Sequence, residues 1–567
     1  MRQPDPEVLI VGGGPAGLTL AIDLGQRGVR CTVIDKLEHH GPHPKLERAN
    51  ARTMEIFRRL GIADRVRAAG LPPHIPMDVF IVLDMARPPI LQLPYGSVSQ
   101  LKAEVAAHND GTRPLEPYQL ISQYTLDPLL RRIAERTPNV TVRFGHELLE
   151  FAQDAGGVSA QVRGPDGGVQ SIRCAYLVGC DGGQSTVRKA LGIGLEGRGQ
   201  IRRMRAALFR CDDLFERLTI GKGRHYHIIA DREFTSITVQ DSMRHFRMNK
   251  QMKDGEDLEA TFKRAVGFPV EVETLYTGDW AHHLLCAERY GDGRVFIAGD
   301  AAHLVIPTGG LGMNTAVGDV TDLAWKLEGT LRGWGGPELL ASYLTERHQI
   351  GVRNVRASGS AAEGRVGWRG AWQPDIADDT PEGAATRAEV ARIANVEQRK
   401  TNEILGIECG YRYIDSNLIW HEAGEAPNPD NRLYVPTTWP GARLPHVWLD
   451  NGRALADTLG PGYTLLKLGP NPAATDALET ALRATGAPFE VKRHPDAAAR
   501  AVYGCDLLLV RPDLHVVWRG NAPPDDARAL AAVATGHAPA ARVEALFPWR
   551  AAQRDSESWV TRLANPI

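Results

Sequence analysis

The period of apolar and polar positions changes several times along the chain, and the first change is the most informative. EVLIV (7–11) is a β-branched apolar run, followed by Gly12-Gly13-Gly14-Pro15-Ala16-Gly17, by a helical stretch with Leu18, Ala21 and Ile22 on one face, and by RCTVID (30–35). This order predicts a βαβ unit. Gly12, Gly14 and Gly17 then permit a tight turn, close approach of backbone to a pyrophosphate, and packing of helix on strand. The helix start at Pro15 and Ala16 offers free N–H groups to the phosphates. Asp35, with Lys36 after it, ends the second strand where a ribose would be hydrogen-bonded.

Two further strand-to-glycine transitions lie far downstream. YLVGCDGGQSTVRKALGI (176–193) reads as a strand, then Asp181-Gly182-Gly183, then a helix start. RVFIAGD (294–300) reads as a buried parallel strand with Asp300 at its carboxyl end, where ligands of such sheets gather. Pro307, Thr308, Gly309, Gly310, Leu311 and Gly312 form a turn without bulky polar side chains, so backbone can approach a flat ring. Val317, Val320, Leu323, Ala324 and Leu327 follow at helical spacing, with Met313 and Asn314 in the first turn. The unsatisfied N–H groups there favour negative charge. The pattern GxGxxG recurs at 192–197 but follows a helix-like stretch, so it is read as a loop.

Between these motifs the period shortens to two. RHYHIIA (224–230), FTSITVQ (234–240) and RHFRMN (244–249) are strand-like, and alternation puts His225 and His227 on one face with Tyr226 on the other. A single strand histidine is more often solvent-facing or structurally satisfied than a base.

Composition narrows the functional classes. At 567 residues and roughly 150 residues per domain, three or four domains are expected. Lys+Arg 66 against Asp+Glu 68 provides no global field for nucleic acid or anionic lipid, which favours a small ligand. Seven scattered cysteines with no CxxC pair argue against a disulfide framework or a metal site and fit a reducing cytoplasm. No segment approaches the roughly 18 apolar residues of a membrane span.

Taken as a set, the three glycine and aspartate motifs resemble the flavoprotein aromatic hydroxylases, single-component FAD-dependent monooxygenases that include para-hydroxybenzoate hydroxylase and the phenol and 2,4-dichlorophenol hydroxylases. The resemblance implies an α/β fold: a Rossmann-like FAD-binding domain (1–75, 105–195 and 285–365) interleaved with a β-sheet substrate domain (76–104 and 196–284). A helical connector (366–428) follows. The order of strands and helices in 429–567 resembles the thioredoxin-like tail of larger members; with Cys505 as its lone cysteine it would be redox-inert, suited to a structural or homodimer-contact role.

The resemblance also implies roles for residues. Asp181 would lie near FAD and NADPH, and Asp300 on the ribityl chain. PKLERANARTMEIFRRLG (44–61) would bring Arg52 beside FAD, and PYQLISQYTLDPLLRRIA (117–134) would do so for Gln123. Lys45 replaces a more usual arginine, and Asp127 a more usual glutamate. The loop bearing Lys45, Glu47 and Arg48 would approach isoalloxazine and substrate. His225, His227, Tyr226, Gln240, Arg244 and Arg247 are rival pocket candidates, and His303 is a further neighbour of the ribityl chain. LGIECGYRYIDSNLI (405–419) resembles a segment of phenol and chlorophenol hydroxylases.

The implied reaction is NADPH- or NADH-dependent hydroxylation of a phenolic or hydroxy-heteroaromatic ring, ortho to its hydroxyl, by molecular oxygen through a flavin 4a-hydroperoxide. Other oxygenations on the same scaffold (epoxidation, Baeyer–Villiger) are the alternatives, with a non-catalytic flavin-binding module a more distant one. Halogenation is disfavoured because no WxWxIP-like run occurs.

Overall fold

The computed structural model describes residues 5–42, 45 and 48–540. Glu47 lies outside the described residues. The apolar run Val8–Val11 forms the middle of a six-stranded sheet, parallel to Cys31–Asp35 on one side and to Tyr176–Gly179 on the other. Val140–Phe144 and Val295–Ile297 extend it in parallel, and Gly291–Asp292 closes one edge antiparallel. Both faces of the central strands are covered, so all four residues of Val8–Val11 are buried, as an unbroken apolar run requires. The helix Pro15–Gln26 packs against the helix Gly312–Leu331.

The chain leaves this sheet twice to build a second one. Between Cys31–Asp35 and Val140–Phe144 it contributes Val79–Val82 and Leu91–Leu93; between Tyr176–Gly179 and Val295–Ile297 it contributes the rest. The seven-stranded order is Glu273–Ala281, Arg203–Arg210, His245–Gln251, Ser236–Val239, His225–Ile228, Val79–Val82, Leu91–Leu93. All pairs are antiparallel except Val79–Val82 with His225–Ile228. One face packs an apolar core in which Phe80 stacks on Tyr226 at 5.0 Å. The other looks back at the first sheet.

Several elements lie across or between the expected boundaries. A three-stranded antiparallel sheet, Glu147–Asp154, Gly157–Arg163 and Val169–Cys174, rises within the expected FAD-binding portion. Residue 104 lies inside the helix Val98–Ala107, started by a Ser97–Gln100 capping box, and residue 365 inside the 33-residue helix Pro337–Arg369. The second GxGxxG is only partly a loop: Leu195–Arg198 pairs antiparallel with Leu284–Ala287. The connector is helical at Pro381–Glu397 and irregular after Cys409.

The C-terminal unit runs strand Tyr463–Lys467, helix Asp476–Ala484, strand Phe489–Arg493, helix Ala497–Tyr503, strands Leu507–Val510 and Val516–Gly520, helix Ala527–Ala534. The first two strands are parallel, and the third joins the first antiparallel. It is fastened by buried charge: Arg511 bonds Asp322 (2.9 Å) and Glu346 (2.6 Å), and Lys326 bonds the same two carboxylates. Each charge has an opposite partner, which offsets the cost of burying it.

Candidate active site

The space between the two sheets is a single cavity of about 1500 Å³. Its floor carries the three glycine motifs. Gly12 adopts φ +112°, and a Cβ there would meet the Cys180 carbonyl, so glycine is required. Gly17 does not line the cavity: a Cβ would strike the Gly12 carbonyl, making it the glycine that seats helix on strand. At Gly14 a Cβ would meet no protein atom and would project into open space at the start of the Pro15–Gln26 helix. Gly14, Pro15 and Ala16 line the cavity there, beside Asp35 and Lys36. Asp35 is held by its own strand end, accepting Gly13 N–H at 2.7 Å and Leu37 N–H at 2.8 Å.

Gln123 and Asp127 reach the same region from the helix Gln123–Ala134. Gln123 Nε2 donates to Asp127 Oδ2 at 2.9 Å, while Oδ1 is buried without a hydrogen bond. Burial pushes the Asp127 carboxyl up to about 7. Asp181 lines the cavity, but its carboxylate chiefly caps its own helix, accepting from Ser185 Oγ (2.5 Å) and Thr186 N–H (2.7 Å).

Asp300 is exposed in a one-turn 3-10 helix, Gly299–Ala301, at the end of its parallel strand, and its side chain borders the cavity. Gly299 makes the turn at φ +64°, close beneath Ala316. Pro307, Gly310, Gly312 and Met313 also line the cavity. Thr315 is the first residue of the following helix to bond a backbone carbonyl, that of Leu311, at 2.8 Å. The earlier N–H groups at Gly312 and Met313 therefore stand at the cavity wall with the positive end of the helix dipole.

Some expected contacts lie elsewhere. Leu311 is buried against Ile404 and Ile407. Asn314 is a tie between loops rather than a lining residue: Oδ1 accepts from Asn50 N–H (2.9 Å), and Nδ2 donates to the carbonyls of Arg48 (3.0 Å) and Gly310 (2.6 Å). Arg52 turns away to the C-terminal unit, donating to the Asp513 carbonyl at 2.9 Å. One turn of chain explains it, because Arg48, on the short strand before the helix Ala51–Arg59, is the arginine that faces the cavity. Arg48 donates to the Gly309 carbonyl at 3.2 Å and forms a buried ion pair with Glu408. His303 points into the core, its Nε2 on Asp319 Oδ2 at 2.8 Å, instead of toward the cavity.

On the opposite wall His225 and His227 both line the cavity, as does Arg247, and Tyr226 faces the other way. Gln240 is buried off the cavity, and Arg244 is largely exposed beside Asp212. Lys45 lines the cavity from the loop. Sequence reasoning missed Arg202, Phe234, Trp280, Arg365 and Arg369, which complete this wall. Arg365 and Arg369 are four residues apart on the helix Pro337–Arg369, a spacing that shows only that they share a face.

FAD fits the floor: the open position at Gly14, the acidic end of the second strand and the cationic helix start at Gly312 match pyrophosphate, ribose and an electron-accepting ring in turn. Among the described residues no group of three metal-binding side chains occurs, and no helix is long and apolar enough to cross a membrane.

Comparison with known proteins agrees. Residues 5–358 match the FAD binding domain family, and residues 437–538 match the aromatic-ring hydroxylase C-terminal family. The chain is 32% identical to the FAD-dependent monooxygenase apdD of Emericella nidulans, over 91% of this chain and 87% of that one. It is 33% identical to aklavinone 12-hydroxylase RdmE of Streptomyces purpurascens, over 93% and 97%. The solved structure of the rebeccamycin biosynthetic enzyme RebC with reduced flavin superposes with a TM-score of 0.86 at 31% identity, covering 94% of this chain and 99% of that one. The chain belongs to the FAD-dependent aromatic-ring hydroxylases. It is an oxidoreductase that uses FAD and molecular oxygen.

Proposed function

We propose that the enzyme takes reducing equivalents from NADPH or NADH and hydroxylates a phenolic or hydroxy-heteroaromatic ring ortho to the hydroxyl. The observation that carries this reading is the continuity of one cavity from the glycine floor to the sheet face bearing His225 and His227. FAD, when bound, supplies the reduction of oxygen and the transfer of one oxygen atom to the ring.

The chain's own residues supply the rest. Gly12, Gly14, Pro15 and Ala16 receive the pyrophosphate, Asp35 and Gln123 the ribose, and Asp300 the sugar-alcohol chain. Gly312 and Met313 direct N–H groups at the ring edge where negative charge develops, an interaction worth about 0.3–2 kcal/mol at an ordinary helix start. A phenol of ordinary acidity is protonated at neutral pH, and removing its proton enriches the ortho carbons. His225 and His227 on one wall, with Lys45 and Arg48 on the other, are the groups that accept that proton or stabilise the phenolate.

The six-stranded sheet supports assigning 1–75, 105–195 and 285–365 to FAD binding, and the seven-stranded sheet supports 76–104 and 196–284 as the substrate domain. The strand–helix order and mixed sheet of the C-terminal unit support a thioredoxin-like fold, which Cys505 alone leaves without dithiol chemistry. A structural or dimer-contact role in the cytoplasm follows from that reading.

The test is to supply purified holoenzyme with NADPH, a panel of phenols and hydroxypyridines, and ¹⁸O₂. Substrate-stimulated NADPH oxidation with one labelled oxygen ortho to the hydroxyl is expected. A lactone or epoxide product, or NADPH consumption without any labelled product, contradicts the proposal.

A further inference from the structure

A second cavity, of about 200 Å³, lies where the helix Ala51–Arg59 meets residues 443–459, and it shares no lining residue with the first. Arg52, Glu55 and Arg59 reach it from one face of that helix, at spacings of three and four residues, and Arg58, Arg443, His446 and Asp457 complete its polar lining. Most of these charges are matched. Arg443 forks onto Glu55, with its Nε 2.7 Å from Oε2, and Arg58 forks onto Asp457 at 2.9 and 2.6 Å while also reaching Glu116 at 2.7 Å.

Two of the lining groups are not. Arg59 donates to the main-chain carbonyls of Leu459 (3.3 Å) and Gly460, and among the described residues no carboxylate lies within ion-pair distance of its guanidinium. Burial, then Arg27, pull that guanidinium down to about 10. His446 is 4% exposed, and neither of its ring nitrogens has a hydrogen-bond partner among the described residues, although the ring is held edge-on against Trp448 with centroids 4.5 Å apart. Burial holds the imidazole down at about 4, so at neutral pH it keeps one N–H donor and one lone pair, both unused. A buried polar group left in that state is costly.

Water alone would satisfy the imidazole and leave the Arg59 charge uncompensated, whereas an oxyanion answers both. Monohydrogen phosphate carries P–O⁻ acceptors for guanidinium N–H groups and a P–OH donor for a nitrogen lone pair. At about 200 Å³ the cavity is smaller than the roughly 300–1,000 Å³ of pockets that enclose drug-sized ligands, so a free anion suits it better than a nucleotide. We propose that this cavity is a second ligand site, which binds inorganic phosphate through Arg59 and His446 and so ties the helix Ala51–Arg59 to the C-terminal part of the chain. The site is separate from the hydroxylation chemistry and does not rest on it.

The test uses the FAD-loaded full-length protein, so that the pyrophosphate-binding groups of the first cavity are occupied, and titrates it with inorganic phosphate by calorimetry at neutral pH and constant ionic strength. Saturable binding of one phosphate per chain, a rise in melting temperature with phosphate and no displacement by AMP are expected. His446→Leu removes no hydrogen bond within the protein, so without phosphate it should melt at or above the wild-type temperature, while its phosphate affinity falls roughly tenfold. A histidine that served packing alone would show the opposite pattern. Arg59→Met should also weaken phosphate binding, and Arg59→Lys should restore part of it. Absence of saturable binding, as in a cavity that holds only water, would overturn the proposal. So would displacement by AMP, phosphate affinity unchanged in His446→Leu, or a phosphate-free His446→Leu protein less stable than wild type.

Discussion

The Asn314 side-chain amide donates to the Arg48 main-chain carbonyl at 3.0 Å, joining the first turn of the Gly312–Leu331 helix to the strand that carries the cavity-facing arginine. The same side chain holds Gly310 and the N–H of Asn50, which caps the next helix through Thr53. One buried amide therefore sets the spacing between the glycine turn and the Arg48 loop.

Asn314→Ala leaves those partners without it. Each buried orphan costs about 1–3 kcal/mol, so the variant should melt at lower temperature and release FAD more readily. Thermal unfolding with and without added FAD checks both effects; an unchanged melting point and cofactor affinity would remove Asn314 from this role.

The Asp319 carboxylate is a second tie. It accepts from Gly299 N–H (3.1 Å), His303 Nε2 and Arg347 Nε (2.9 Å), and so fixes the turn that presents Asp300. Burial alone would raise its pKa, but Arg347 and His303 outweigh burial and lower it. For a depressed carboxylate the stabilisation is present above the ordinary Asp value of about 4 and fades as pH falls through the folded value. Asp319→Asn should cost about 3–5 kcal/mol at neutral pH by stranding Arg347. Urea unfolding at pH 7 and at successively lower pH should show the gap to wild type closing in acid, and a constant gap would contradict the ion-pair assignment.

Much of the proposed cofactor floor was legible because local backbone chemistry determines it. A strand running into Gly12 and Gly14, and another ending at Asp300, need specific residue types at fixed chain separations. The distant wall was not legible. Arg202 and Arg369 meet at Phe234 only after the chain has built two sheets and a 33-residue helix, and no local period encodes that encounter. Arg52 shows the same limit at short range: four residues after Arg48, it lies on the far side of a helix start and serves the C-terminal unit instead.

Asp127 should make cofactor affinity depend on pH near neutrality. Its carboxyl, pushed up to about 7 by burial, is neutral below that pH and above it adds negative charge at the cavity wall beside the proposed dinucleotide site. For this raised carboxyl the contribution to stability is fully present below the unfolded value of about 4 and is lost as pH rises through about 7. FAD affinity of wild type should therefore fall between pH 6 and 8 by about threefold to tenfold, a range of roughly 0.6–1.4 kcal/mol. Asp127→Asn should flatten that profile. Fluorescence titration of the apoprotein with FAD across this range decides it: parallel profiles would mean that Asp127 does not titrate beside the cofactor.

Gly14 gives the most direct test of where FAD lies. Its φ is −80°, which any residue adopts, and a Cβ there has no atom within 4 Å beyond its chain neighbours, so Gly14→Val should leave the apoprotein's fold and melting temperature nearly unchanged. Its methyl groups would occupy the space assigned to the pyrophosphate. Titrating apo wild type and apo Gly14→Val with FAD, followed by visible absorbance, should show stoichiometric binding by the former and at least a hundredfold weaker binding by the latter; equal affinity in the two would contradict the placement of the cofactor on this glycine floor.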